Sequence, residues 1–410
     1  MNCRHCGTDV TLSLVDLGSA PPSNAYLSSD ALQTAEKWYP LRVSVCTECW
    51  LAQTHDMTHC SELFSEDYGY FSSFSSTWLE HAERYAAMAT ARFNLGSSSQ
   101  VVEVASNDGY LLQYFAARSI PSLGVEPTAS TAAAARQRGL AVVEEFFGQA
   151  QAHRLKAQGH SADLMVANNV LAHVPEINDF AAGFAVLLKP HGVVTFEFPS
   201  LRNLVEQNQF DTIYHEHFSY LSLTAVHRIL EHSGLTIFDV EPLATHGGSL
   251  RVYAQRRETG TRPIEKMVQE MLSDERGAGM TTAAFYAGFQ EKADRVKNDF
   301  LRFLLEARNA GKLVVAYGAA AKGNTLLNYA GAHPDLVRFV VDRNPAKQHK
   351  FMPGSRIPIV AEACLQSARP DYIVILPWNL SAEITAQLAY AREWGCRFVV
   401  AVPTLMVGTN

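Results

Sequence analysis

The chain has 410 residues, 47% hydrophobic and 18% charged, with a formal net charge of −7. That balance describes a globular protein with enough apolar surface for real cores and argues against a general polyanion binder. The length predicts two or three domains. No apolar run is long enough to span a bilayer, and the start Met1-Asn2-Cys3-Arg4-His5-Cys6 has no signal-peptide pattern, so a cytoplasmic setting is expected.

Four of the seven cysteines form two pairs, Cys3/Cys6 and Cys46/Cys49, each with two residues between partners. That gap lets both thiolates of a knuckle face one ion, and two knuckles complete the four-sulfur shell that zinc prefers. A closed shell holds structure and does no chemistry. His5, His55, His59 and Cys60 are weaker competitors as ligands. Zinc ribbons also bind nucleic acid, but residues 1–60 carry three Lys/Arg against six Asp/Glu, so the basic footprint is missing.

The aromatic, hydroxyl-rich stretch 67–76 precedes a helical run from Trp78 to Phe93. It reads as a linker with buried rings or as a lid over a cofactor. From Gln100 strands alternate with helices. Val101–Ala105 is a strand, Ser106-Asn107-Asp108-Gly109 a turn, and 110–118 a helix. Further strands are expected at 123–127, 163–169 and 192–198. The pair 235–242 and 250–255 is joined by a link too short for a crossover helix, so it should be antiparallel. Parallel-type strands with such a closing pair make the class I methyltransferase arrangement. The turn after the first strand holds one glycine rather than the three of a dinucleotide fingerprint. S-adenosylmethionine has no pyrophosphate and does not need them. Glu126, ending the second strand, is placed to accept from ribose hydroxyls.

After this unit's fourth strand comes Tyr214-His215-Glu216-His217-Phe218-Ser219-Tyr220, with imidazoles, a carboxylate and phenols in seven residues. Such clusters abstract and relay protons, or bind metal, or form a satisfied turn. Residues 264–309 read as a helical connector. A second α/β unit follows, with strands expected at 312–317, 336–342 and 372–376. Its turn Gly318-Ala319-Ala320-Ala321-Lys322-Gly323-Asn324-Thr325 could offer backbone N–H groups and a cation to phosphate, or could simply be tight packing.

Together, the double cysteine pair, Glu103–Gly109, Glu126-Pro127, Tyr214–Phe218, His246-Gly247-Gly248 and Tyr317–Lys322 resemble the S-adenosylmethionine-dependent C-methyltransferases of nucleotide-sugar pathways. The resemblance spans nearly the whole chain. It implies an α/β protein with a zinc-binding domain (1–70), a class I methyltransferase Rossmann-like domain (71–258), a helical connector (259–310) and a Rossmann-like nucleotide-sugar domain (311–410). It implies two cofactors, S-adenosylmethionine and structural zinc. Its substrate would be a nucleoside-diphosphate 4-keto-deoxysugar, methylated beside the ketone. No nucleic-acid, membrane or protein partner is expected.

The resemblance assigns catalysis to Tyr214, Glu216 and His217, with His173 and Tyr70 in support. Glu103, Ala105, Asn107, Gly109, Glu126, Pro127, Phe146, Phe147, Asn168 and Asn169 would meet the cofactor. His246, Gly247, Gly248, Tyr317, Ala319, Lys322, Asn324, Asp342, Lys347, Trp378 and Asn379 would meet the sugar nucleotide. Two positions depart from the pattern: Ala105 replaces a common glycine, and His215 stands where relatives can carry an acid. His217 is the expected base, with His215 the alternative imidazole. Glu216 would orient the base, and Tyr214 or His173 would donate to the enolate oxygen. Two alternatives are a methyltransferase of another ketone-containing product, acting on carbon or oxygen, and a non-catalytic zinc-ribbon interaction protein on a decayed fold.

Overall fold

The computed structural model describes residues 1–55 and 71–408. Its central sheet runs, in spatial order, Leu235–Leu243, Ser249–Arg256, Leu188–Pro199, Ala162–Asn168, Val101–Val104, Ser122–Val125 and Val142–Val143. Ser249–Arg256 is antiparallel to both neighbours, and the other pairings are parallel. The expected closing pair is therefore present. Val142–Val143 was not foreseen, because two residues carry no readable period. Leu164 to Ala167 are fully buried, as expected where helices cover both faces of a parallel sheet.

The N-terminal segment does not form a sheet on its own. Leu12–Ala20, Tyr39–Val45 and Ala52–Thr54 pair antiparallel in that order, and the fourth strand is Ser219–Tyr220, the end of the histidine-rich segment. The C-terminal sheet runs Ile359–Val360, Val340–Val341, Val314–Tyr317, Tyr372–Ile375, Arg397–Val400 and Met406–Val407, parallel except for its last pair. The strand expected at 336–342 shrinks to two residues, since Leu336 and Val337 close turns on His333.

The expected connector does more than join two units. Phe289 and Phe300 of helix Phe289–Asn309 share one core with Leu14 and Val43 of the N-terminal sheet, Phe210 and Ile213 beside the histidine-rich segment, and Val314 and Leu327 of the C-terminal unit. Helix Lys266–Gly277 sends Glu275 back to the start of helix Leu223–His232. Its two oxygens accept from Leu223 N at 2.8 Å and Thr224 N at 2.7 Å, as an acid at a helix N-terminus should.

Candidate active site

The four cysteine sulfurs lie within 4.8 Å of one another. Cys3 and Cys49 are 3.4 Å apart, and Cys6 and Cys46 are 3.5 Å apart. A tetrahedral zinc with bonds of about 2.3 Å needs sulfurs ~3.8 Å apart, so the cluster fits one. The rival ligands are engaged elsewhere: His5 Nδ1 bonds Asn178 Oδ1 at 2.7 Å, and His55 Nε2 bonds Ser44 Oγ at 3.1 Å. His59, Cys60 and Tyr70 lie outside the described residues.

The turn after Val101–Val104 is tightly bent. Ala105, Asn107 and Gly109 have φ of 58°, 50° and 79°. Ala105 thus occupies a left-handed position that suits glycine, consistent with its departure from the family pattern. Glu126, beside Pro127, spends both oxygens on backbone donors, Asn107 N at 2.9 Å and Thr128 N at 3.0 Å. Any ribose hydroxyl must use its remaining lone pairs. Glu103 is fully buried, and burial pushes its carboxyl well above the usual range, tempered by Tyr110. Among the described residues neither Glu103 oxygen has a well-aligned hydrogen-bond partner, and the same holds for Oδ1 of Asn168 and of Asn169. Buried acceptors at the ends of adjacent parallel strands fit the ammonium and hydroxyl donors of S-adenosylmethionine. The described part of the aromatic stretch closes on this turn, with Ser72 N donating to Asn107 Oδ1 at 2.9 Å and Ser73 Oγ to Asp108.

Phe146 is 52% exposed and available to a ligand. The Phe147 ring is half-buried and packs on Phe180 and Phe184, with centroids 5.7 and 4.9 Å away.

The histidine-rich segment is gripped from every side. Thr54 N donates to Phe218 O and Thr54 Oγ1 to His217 O, each at 3.1 Å. Phe218 N donates to Ala172 O at 2.8 Å, tying the segment to the loop that carries His173. The rings of His173 and His217 are 4.6 Å apart, and Tyr214 lies 4.0 Å from His217. His217 Nδ1 is 3.1 Å from Thr212 O. Burial, then the neighbouring His173, pushes the His217 imidazole well below its ordinary pKa. Burial pushes His173 down to about 4, partly offset by its bond to the Glu216 backbone carbonyl.

Two expectations change here. The group orienting His217 is the Thr212 carbonyl, while the Glu216 carboxylate is held by Asn24 Nδ2 at 2.7 and 2.9 Å. A neutral His173 has one N–H, committed to the Glu216 carbonyl, which leaves its other ring nitrogen an acceptor. His215 Nε2 reaches Tyr39 O at 3.1 Å, which turns it toward the N-terminal sheet.

The C-terminal unit reaches the same group of residues. Lys322 Nζ donates to Asn379 Oδ1 at 2.7 Å and lies 4.5 Å over the Trp378 ring. Its charge acts on His217, His246 and Asp211, which puts it beside the histidines. Trp378 Nε1 donates to Asp211 Oδ2 at 2.8 Å. Thr325 Oγ1 donates to Ile213 O at 2.8 Å. Gly247 has φ 88°, and a Cβ there would sit 2.5 Å from Trp378. Gly248, at φ 110°, abuts Asn203 in the same way. The His246 loop can therefore seat against Trp378 only with glycines.

Farther from the histidines, Asp342 Oδ2 accepts from Ala319 N at 2.8 Å, and Lys347 Nζ and Tyr26 OH both donate to Ala319 O, at 2.8 and 2.6 Å. Tyr317 OH donates to Glu362 and accepts from Gln387. Asn324 is fully buried, and neither end of its amide has a partner among the described residues.

The sequence reading missed Asn24, Thr212, Asp211 and Trp78. The Trp78 ring stacks on His81 at 4.8 Å and touches His246 at 5.1 Å and Tyr110 at 5.9 Å, linking the turn at 105–109 to the His246 loop. Only Trp78, an aromatic at a helix start just before the first strand, carried any local signal.

A Rossmann-like sheet with an antiparallel strand in second place and ligand-facing groups at its strand ends defines a class I methyltransferase. Three family descriptions cover most of the chain: "Putative zinc binding domain" at 3–64, "Methyltransferase domain" at 78–240 and "C-methyltransferase C-terminal domain" at 244–403. The C-methyltransferase NovU of Streptomyces niveus is 33% identical over 401 residues, covering 98% of this chain and 95% of its own. Among solved structures, magnesium protoporphyrin IX methyltransferase from Synechocystis, with bound S-adenosylmethionine, overlaps 43% of this chain and 79% of its own (16% identity, TM-score 0.34). An S-adenosylmethionine-dependent methyltransferase from Clostridium acetobutylicum overlaps 45% and 92% (11% identity, TM-score 0.35). The chain belongs to the S-adenosylmethionine-dependent C-methyltransferases that carry an N-terminal zinc-binding domain. Among the described residues no helix is long and apolar enough to cross a membrane.

Proposed function

We propose that the chain methylates the carbon beside the ketone of a nucleoside-diphosphate 4-keto-deoxysugar, with His217 as the base. One hydrogen bond carries the reading. The Thr212 carbonyl can only accept, so His217 Nδ1 bears the proton and Nε2 keeps its lone pair. Burial holds that imidazole neutral, which is the state a base needs. Proton removal leaves an enolate, whose charge then favours the imidazolium beside it. Tyr214 and the Lys322 ammonium are the donors available to the enolate oxygen. His173 and the Glu216 carboxylate accept from sugar hydroxyls. S-adenosylmethionine supplies the electrophilic methyl.

Tyr317, Ala319, Asn324, Asp342, Lys347, Trp378 and Asn379 are proposed to hold the nucleotide diphosphate, with the Asn324 amide, which has no partner among the described residues, as its strongest support. The proposed domain boundaries are 1–70, 71–258, 259–310 and 311–410. Cysteine pairs arranged to hold zinc rather than closed as disulfides suit a reducing compartment, so the proposed setting is the cytoplasm.

The test is proton exchange in deuterated water at the carbon beside the ketone, read without methyl transfer. His217→Asn should slow it by about 10²–10⁴-fold, the usual size of a general-base contribution. Exchange at the wild-type rate would remove His217 as the base. Labelled methyl recovered on oxygen would remove the C-methylation reading.

A further inference from the structure

The cysteine knuckle reaches the histidine-rich segment through a residue between its ligands. Arg4 follows Cys3, and its backbone N donates to Gln53 Oε1 at 3.0 Å. Its guanidinium forks: Nη1 donates to Pro175 O and Nη2 to Thr54 O, each at 3.1 Å. Its Cζ stands 5.4 Å over the Phe218 ring. These three targets are not arbitrary. Pro175 lies two residues beyond His173. Thr54 is the residue whose hydroxyl and N–H grip the carbonyls of His217 and Phe218. Phe218 is itself bonded to Ala172, the residue before His173.

We propose that Arg4 is a positioning residue for the reaction, its planar fork setting the spacing between the His173 loop and the His217 segment. This rests on the reading of His217 as the base. A guanidinium suits the task because its two terminal nitrogens bond two carbonyls at a fixed separation while its face covers an aromatic ring. The Cys3–Cys6 knuckle fixes where that fork starts. His5, next in the knuckle, adds a second anchor, since its backbone carbonyl accepts from Asn178 Nδ2 at 2.8 Å on the helix following the His173 loop. Zinc bound by the cysteines thereby sets catalytic geometry as well as the fold of the small sheet. A displacement of about 1 Å in such a site can cost ~10²-fold in rate.

Arg4→Lys keeps the charge and the stem and loses the fork, and Arg4→Gln removes the charge as well. Each is compared with wild type and with His217→Asn in the full-length zinc-loaded enzyme. Three measurements are made: zinc per chain, calorimetric affinity for S-adenosylmethionine, and deuterium exchange at the carbon beside the ketone. The expected result is one zinc per chain and unchanged cofactor affinity in both Arg4 variants, with exchange slowed at least tenfold. A merely structural role would lower zinc content, cofactor affinity and exchange together, and would overturn the proposal. So would exchange within twofold of wild type in Arg4→Lys with zinc retained. If His217→Asn exchanges at the wild-type rate, the base reading falls, and the proposal falls with it. If His217→Asn is silent and the Arg4 variants exchange normally, only the proposal falls.

Discussion

The cofactor turn and the histidine-rich segment contrast in how they are held. The turn at 105–109 is fixed by near neighbours: Glu126 from the adjacent strand, Arg138, and Ser72 and Ser73 across it. The segment at 214–220 is fixed from afar. Thr54, Asn24 and Tyr39 reach it from the N-terminal region, Ala172 from the central unit, and Thr325 and Trp378 approach just before it from the C-terminal unit. The proposed cofactor turn is thus held within one unit, while the proposed proton abstraction depends on three. The two functions should fail separately.

The sharpest way to break that separation is to remove zinc with a chelator. Loss of the ion should unseat the strands that grip Phe218 and Tyr220, so exchange beside the ketone should drop more than ~10²-fold. Calorimetric affinity for S-adenosylmethionine should stay within a few-fold. Equal loss of both would dissolve the contrast.

Glu126→Gln tests the opposite side. A charged acceptor of two backbone N–H groups contributes about 1.5–3 kcal/mol per bond. Replacing it should weaken cofactor affinity by roughly tenfold or more while exchange persists. Asn24→Ala leaves the Glu216 carboxylate without its amide, and about tenfold slower exchange with unaltered cofactor affinity is expected.

The pH dependence sharpens the same point. His173 and His246 are pushed down to about 4 and His217 well below its ordinary value. A neutral base survives in acid, so the acid limb of kcat/KM should lie well below the 6.5 of an exposed histidine. Stability behaves differently. The unfolded chain binds protons between about 6.5 and about 4 that the folded chain refuses, so stability should fall as pH drops through that window and level off below it. Urea titrations across the window read this directly. The smallest expected effect belongs to Ala105→Gly. It relieves a left-handed φ of 58° and should raise stability by up to about 1 kcal/mol, seen as a Tm shift of a few degrees with catalysis unaltered.

The strands of the central sheet, the turn 106–109 and the four cysteines were legible because their signals are local. A buried parallel strand is a continuous apolar run, a capped turn has its residues in order, and a zinc knuckle has its spacing. Val142–Val143 was too short to announce itself. The chemistry-bearing residues of the candidate site were legible by type. Their partners were not.

By itself, then, the sequence determined the order of the three units, the metal-ligand set and which heptad carries titratable groups, since each depends on neighbours along the chain. Only the tertiary structure decided that Thr212 sets the His217 tautomer, that Asn24 holds Glu216, and that Ser219–Tyr220 completes the sheet of the cysteine-bearing region. Those pairings join residues far apart in the chain. A hydrogen bond between them leaves no period or spacing in the sequence to read.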